Sequence, residues 1–264
     1  MSRIIRLCLS ATSALTLLFL IFPLLIVLGS SVSNSELLSF PPQGFTLKWY
    51  GVVFANSTYV NAFIVSTALA AASTLVAALL AIPASLAIAR YEFIGKTTVE
   101  TILMSSLVLP YIVLGAAFLQ YGTSIGLVRS FGALLVGHVV IIMPFIMRSV
   151  IPQLSEDQRT LEEASRDLGA GAWVTFFLVT LPQIRSGVIS GSVLAFITSW
   201  INVEVSIFQA TPALTTIPVV LFNYVQYTID PTIAAVSSVT ILVAAALIVL
   251  LDLVFEIDII SKKK

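Results

Sequence analysis

The chain has 264 residues, 58% of them apolar and 10% charged, with mean hydropathy +1.06 and a formal net charge of zero. Soluble domains carry about 25% charged residues, so the composition excludes an ordinary soluble protein and describes an integral membrane protein with room for about six helices of ~20 residues. Zero net charge gives no pull toward nucleic acid, and one cysteine (Cys8) with one histidine (His138) excludes an internal disulfide and, in practice, a zinc site.

Arg3 and Arg6 precede an uncharged run over 7–29. The apolar core of a secretory signal is usually only about 7–15 residues long, so this run is expected to be an uncleaved first transmembrane helix. An extended loop follows over 30–58, with Pro41-Pro42-Gln43-Gly44 and then Trp49-Tyr50, a pair suited to anchoring at the membrane interface. The second helix is expected over 60–89, ending at Arg90; its Ala, Ser and Thr suit close helix packing in lipid. Gly95-Lys96-Thr97 looks like the end of a phosphate-binding loop, but Arg90 stands where that motif needs its first glycine and no strand precedes it. The chain is therefore not expected to hydrolyse ATP. The third helix is expected over 101–121, broken near Pro110, and the fourth over 131–147 with His138 inside it. A packed histidine bonded to a neighbouring helix and a proton relay are both open readings of His138.

Residues 160–182, TLEEASRDLGAGAWVTFFLVTLP, form the longest polar segment of the chain. Thr160 and Glu163 have capping-box spacing, which predicts a helix start at Thr160. Gly169 and Gly171 suit a left-handed or unrestricted backbone that closes that helix, and Pro182 marks the start of the next element. The expectation is a surface helix, a hinge and a second helix.

The fifth helix is expected over 186–208, with Gly187-x-x-x-Gly191 allowing close backbone approach. Ser199, Trp200, Asn202 and Glu204 lie toward its far end, and a carboxylate there must face a cavity, a partner or the outer mouth. The sixth helix is expected over 231–251. With the amino terminus inside, every one of the thirteen basic residues except Lys48 and Arg129 falls on the inner side, which predicts two cytoplasmic termini and a cytoplasmic 160–182 loop.

Glu163-Ala164-Ser165, Gly169 and Val179-x-Leu181-Pro182 keep every spacing of the EAA loop (E-A-A, three residues, G, nine residues, I-x-L-P), with Ser for Ala and Val for Ile. The chain thus resembles the permease subunits of binding-protein-dependent ABC importers of the type I, MetI-like architecture. The phrases GFTLKWY at 44–50 and DPTIAA at 230–235 resemble the spermidine/putrescine-type branch. The resemblance implies an all-α fold of six transmembrane helices, one transmembrane domain over 1–264 with a coupling loop at about 150–185, and a bacterial inner-membrane location. It implies a non-catalytic chain working with an ATP-binding subunit dimer that holds ATP and Mg, a periplasmic solute-binding protein and a second homologous permease, a heterodimer rather than a homodimer. Glu163, Ala164, Ser165, Gly169, Leu181 and Pro182 would couple to the ATPase, while Ser199, Trp200, Asn202 and Glu204 are candidates for the solute path. Acidic residues common in the family near here are replaced by Ile201 and Asn202, and Glu204 could instead pair with the partner permease. The rival readings are a proton-coupled secondary transporter using His138, Glu204 or Asp230, and a membrane assembly subunit.

Overall fold

The computed structural model describes residues 3–228 and 230–255, which are predominantly helical, with one isolated antiparallel bridge between Thr211 and Leu214. A hydrocarbon surround demands this, because a helix satisfies its own backbone polar groups where no water can. In chain order the helices are α1 (Arg3–Ser31), α2 (Lys48–Ala55), α3 (Ser57–Arg90), α4 (Lys96–Met104), α5 (Tyr111–Ile125) and α6 (Phe131–Val150). There follow α7 (Glu156–Asp167), α8 (Ala172–Thr175), α9 (Leu181–Gln183), α10 (Arg185–Ile201), α11 (Ser206–Gln209), α12 (Ile217–Tyr227) and α13 (Pro231–Phe255).

Cys8–Ser31, Ser57–Arg90 and Phe131–Gln153 are long and apolar enough to cross a membrane, and they correspond to the first, second and fourth expected spans. The third and fifth differ from simple spans. Lys96–Leu107 and Tyr111–Ile125 meet at 107°, and Ala172–Gln183 meets Arg185–Ile201 at 69°. At the first bend Pro110 has extended backbone (ψ 126°) and supplies no N–H, so the chain turns sharply there and restarts as α5. The fifth helix was expected to reach 208 but ends at Ile201. Asn202 takes an extended conformation, and its Oδ1 accepts from the Val205 N–H at 2.9 Å, starting a separate turn. At the sixth expected span, Pro231–Ala246 is an apolar helical segment within α13.

The described residues form two compact units. The first comprises 3–60 and most of 220–246. Here Trp49 Nε1 donates to Ser33 O at 2.9 Å and the Tyr50 hydroxyl meets Ser31 Oγ at 2.8 Å, so the two aromatics tie a serine-rich loop to α2. Asp230 caps α13: Oδ1 accepts from Thr232 N at 2.8 Å, Tyr224 donates to Oδ2 at 2.6 Å, and Pro231 fills the first helical position.

The second unit, Asn61–Val219 together with 247–255, carries the main core. Along α3 the buried residues Ala62, Ser66, Ala70, Ser73, Ala77, Ala81 and Ser85 recur every three or four positions. The inward stripe is marked by small size rather than by polarity, as packing in lipid requires. α6 and α10 approach most closely at glycines: a Cβ on Gly191 would stand 2.8 Å from Ile146 Cα and 3.0 Å from Ser149 Cβ. Around them pack Ile141, Ile142, Met147 and Val150 of α6. Gly191→Ala is therefore expected to destabilise the purified protein by about 1–3 kcal/mol, read as a lowered unfolding temperature. Gly51→Ala, where an added Cβ meets nothing within 4 Å, is expected to leave that temperature unchanged or slightly raised.

Candidate functional site

The polar segment between α6 and α10 begins earlier than its capping-box spacing predicts. Ser155 takes the extended N-cap conformation (ψ 170°), and Glu156 and Asp157 occupy the first turn of α7, where acidic groups favour the exposed N–H dipoles. Thr160 lies a full turn inside the helix and its hydroxyl donates to Glu156 O at 3.2 Å, so it does not cap. The C-terminus conforms to expectation. Gly169 has φ +89°, its N–H donates to Arg166 O at 2.8 Å, and Ala170 N–H donates to Ser165 O at 3.1 Å. These are the paired bonds of a Schellman closure. Gly171 is not left-handed; with φ −70° and ψ 162° it sits at the N-cap of α8. One π-helical turn over Phe176–Thr180 then leads into α9, with Pro182 near its start.

Neighbouring acids on α7 project about 100° apart, as 3.6 residues per turn require. Glu163 is 58% exposed and pairs along the helix with Arg159 Nε at 3.0 Å. Glu162 is buried against the end of α3: Arg90 Nε donates to its Oε2 and Arg90 Nη2 to its Oε1, each at 3.2 Å. Thr180 Oγ1 donates to the same Oε1 at 3.0 Å. Arg90 Nη1 donates to Leu154 O at 3.1 Å and Ser155 O at 3.2 Å. From the sequence, Arg90 ends the second helix, breaks the phosphate-loop pattern and counts as an inner-side charge, while Glu162 has no assigned role. Leu154, Gln158, Glu162 and Ser165, spaced by three or four, share the inward face of this segment, and that periodicity was the available signal.

The turn closed at Gly169 carries exposed apolar side chains: Leu168 is 90% and Trp173 76% exposed. Ser165 Oγ meets Thr175 Oγ1 at 3.2 Å, bracing α7 against α8; the alanine of the EAA pattern has no such atom. Ala164 and Pro182 are exposed, and Leu181 helps line an apolar cavity of about 600 Å³ with Leu79, Ile82, Trp173 and Phe177.

The four candidate path residues fall into three surroundings. Ser199 is buried, and its hydroxyl meets His138 Nδ1 at 2.7 Å and Ser73 Oγ at 3.0 Å, while His138 Nε2 meets Ser206 Oγ at 2.9 Å. A ring donating from one nitrogen and accepting at the other satisfies both serines, which fits the packed-histidine reading. Trp200 is buried, stacks on Phe196 with centroids 6.4 Å apart, and leaves its indole N–H without a partner among the described residues. Asn202 and Glu204 are brought together, Nδ2 to Oε2 at 3.1 Å, and Glu204 is exposed.

Residues 73–257 match the family model described as "Binding-protein-dependent transport system inner membrane component". The chain is 28% identical over 236 residues to the spermidine/putrescine transport system permease protein PotC of Haemophilus influenzae, covering 89% of this chain and 91% of that protein. It is 30% identical over 227 residues to the putrescine transport system permease protein PotI of Escherichia coli, covering 83% and 80%. A chain in the crystal structure of a bacterial ABC transporter involved in the import of alginate, an acidic polysaccharide, matches with TM-score 0.75 at 14% identity. That match covers 97% of this chain and 98% of the other, and shows a shared fold.

The left-handed backbone at Gly169 generates a local prediction. Gly169→Val is expected to strain the closure by about 1–2 kcal/mol and to speed limited proteolysis at 168–171, with membrane insertion intact. Gly171→Val, at an ordinary φ with open space around it, is expected to be cleaved at the wild-type rate.

Proposed function

Because the chain belongs to the family of binding-protein-dependent transport system inner membrane components, we propose that it forms half of the translocation path of an ATP-driven importer for a small cationic organic solute. It is a multi-pass inner-membrane permease and a non-catalytic subunit. In this reading the 155–185 segment lies in the cytoplasm with both termini and docks on an ATP-binding subunit whose dimer holds ATP and Mg. Glu163, Ala164, Ser165, Gly169, Leu181 and Pro182 form or shape the docking surface. A periplasmic binding protein delivers the solute, and a second, homologous permease completes the path.

One observation carries the coupling part of this reading: the Gly169 turn is closed by its own hydrogen bonds yet presents Leu168, Trp173 and the Glu163 carboxylate outward. A rigid, partly apolar projection on a polar loop suits insertion into a groove of another subunit. The solute class rests on the two polyamine permeases to which the chain is similar and on Glu204, an exposed carboxylate beside Asn202. A carboxylate in or near the membrane is costly unless it faces a cavity or partner, and it offers a counter-charge to an ammonium group. Ser199 and Trp200 support the path from behind, since both are buried.

The test is reconstitution with the cognate ATP-binding subunit, binding protein and second permease, followed by uptake of labelled spermidine and putrescine. Uptake is expected to require ATP and to vanish when the ATPase is inactivated. Persistence of uptake under a proton gradient without ATP would favour a secondary transporter, and no uptake of any solute by an assembled complex would favour an assembly subunit. Glu204→Gln is expected to lower uptake efficiency about tenfold, the loss of one charged contact, in a complex that still assembles. Unchanged uptake kinetics would remove Glu204 from the path.

A further inference from the structure

We infer that Arg90 and Glu162 are positioning residues that couple the docking segment to the membrane helix α3, so that movement of the segment drives α3 directly. The inference rests on the coupling-loop reading and assigns it a transmission point.

Arg90 is the last residue of α3, and one side chain there reaches three separate places. Its guanidinium spans both oxygens of Glu162 in the middle of α7 and also holds the Leu154 and Ser155 carbonyls just before that helix. Thr180, at the end of the π-helical turn, donates to the same carboxylate. The end of α3, both sides of the α7 start and the turn leading to α10 therefore meet at one cluster. A planar guanidinium holding a carboxylate through two bonds fixes orientation as well as distance, which a single lysine bond cannot.

Burial makes the joint stiff. The two side chains are 11% and 9% exposed, whereas Glu92 in the Lys96–Glu92 pair is 90% exposed and Glu163 in the Arg159–Glu163 pair is 58% exposed. Exposed pairs exchange readily with water and contribute little; a buried pair cannot open without leaving a charge uncompensated. Force applied to α7 thus reaches α3 without slack. Seventeen residues before Arg90 on the same helix, about 26 Å along its axis, Ser73 is bonded to Ser199 and through it to His138. α3 therefore joins the docking segment to the buried polar network of α6 and α10.

The experiment measures solute imported per ATP hydrolysed in proteoliposomes holding the complete importer. Arg90→Gln and Glu162→Gln are each expected to lower that ratio about tenfold. Because each leaves one buried charge bare, the decisive variant is the double Arg90→Met/Glu162→Met, which removes both charges and retains bulk. A double variant that assembles with a low ratio supports the inference; one that assembles with the wild-type ratio overturns it. Arg90→Lys keeps the charge but cannot span both carboxylate oxygens and two carbonyls. A lowered ratio supports the inference and a wild-type ratio opposes it, even if the double variant does not assemble. Glu92→Gln, which breaks the exposed pair, is the control and should be normal. If the wild-type complex imports solute without hydrolysing ATP, the coupling-loop reading itself fails; if it couples normally and Arg90→Lys does too, only this inference fails.

Discussion

In hydrocarbon no backbone group can be left unpaired, so every departure from continuous helix must find its partners within the protein. Two breaks among the described residues show where they come from. After α10 the Asn202 side chain accepts from the Val205 N–H, and at the start of α13 Asp230 accepts from the Thr232 N–H. At Pro110 the missing donor removes the need for one partner. The chain changes direction by 107° at Pro110, after α4, and by 69° between α9 and α10. The same economy governs helix contacts: with no hydrophobic drive between helices in lipid, α6 and α10 gain contact by letting backbones meet at Gly187 and Gly191.

The Arg90–Glu162 pair is the costly feature of this structure. Burying two charges gains little stability over apolar side chains of the same volume, whereas breaking one partner is strongly destabilising. A protein that retains such a pair gains geometry from it. Here the geometry fixes the phase of α7, turning Glu162 inward and leaving Glu163, one residue on, facing outward. This ion pair and the Thr180 hydroxyl beside it thus orient the surface proposed to dock.

Much of this was legible in the sequence because lipid imposes simple rules. Long uncharged runs gave the helices, and the glycine spacing gave a close-approach face on the fifth helix, which α6 fills, and the turn at Gly169, which is left-handed. What was not legible depended on which of several equivalent groups a distant neighbour would select. Ser155 and Thr160 could each start a helix, and the acids at Glu156 and Asp157 favour the earlier start. Glu162 and Glu163 are chemically identical; the spacing of Leu154, Gln158, Glu162 and Ser165 marks the inward one, but its partner Arg90 stands 72 residues earlier in the sequence. Trp200 stands among the path candidates by its place in the sequence, near Asn202 and Glu204. It lies in the interior because the helix phase that exposes Ile201 turns its neighbour inward.

The central claim is that the turn closed at Gly169 is the surface through which ATP hydrolysis acts on this subunit. Its most direct test is site-specific photo-cross-linking in the assembled importer, with benzoylphenylalanine replacing Leu168 in one sample and Phe45 in another. Both side chains are highly exposed, at 90% and 85%, but Phe45 lies in the loop expected on the opposite side of the membrane. The account predicts an adduct with the ATP-binding subunit from position 168 and none from position 45. No such adduct from 168 in an actively transporting complex, or equal adducts from both positions, would contradict it.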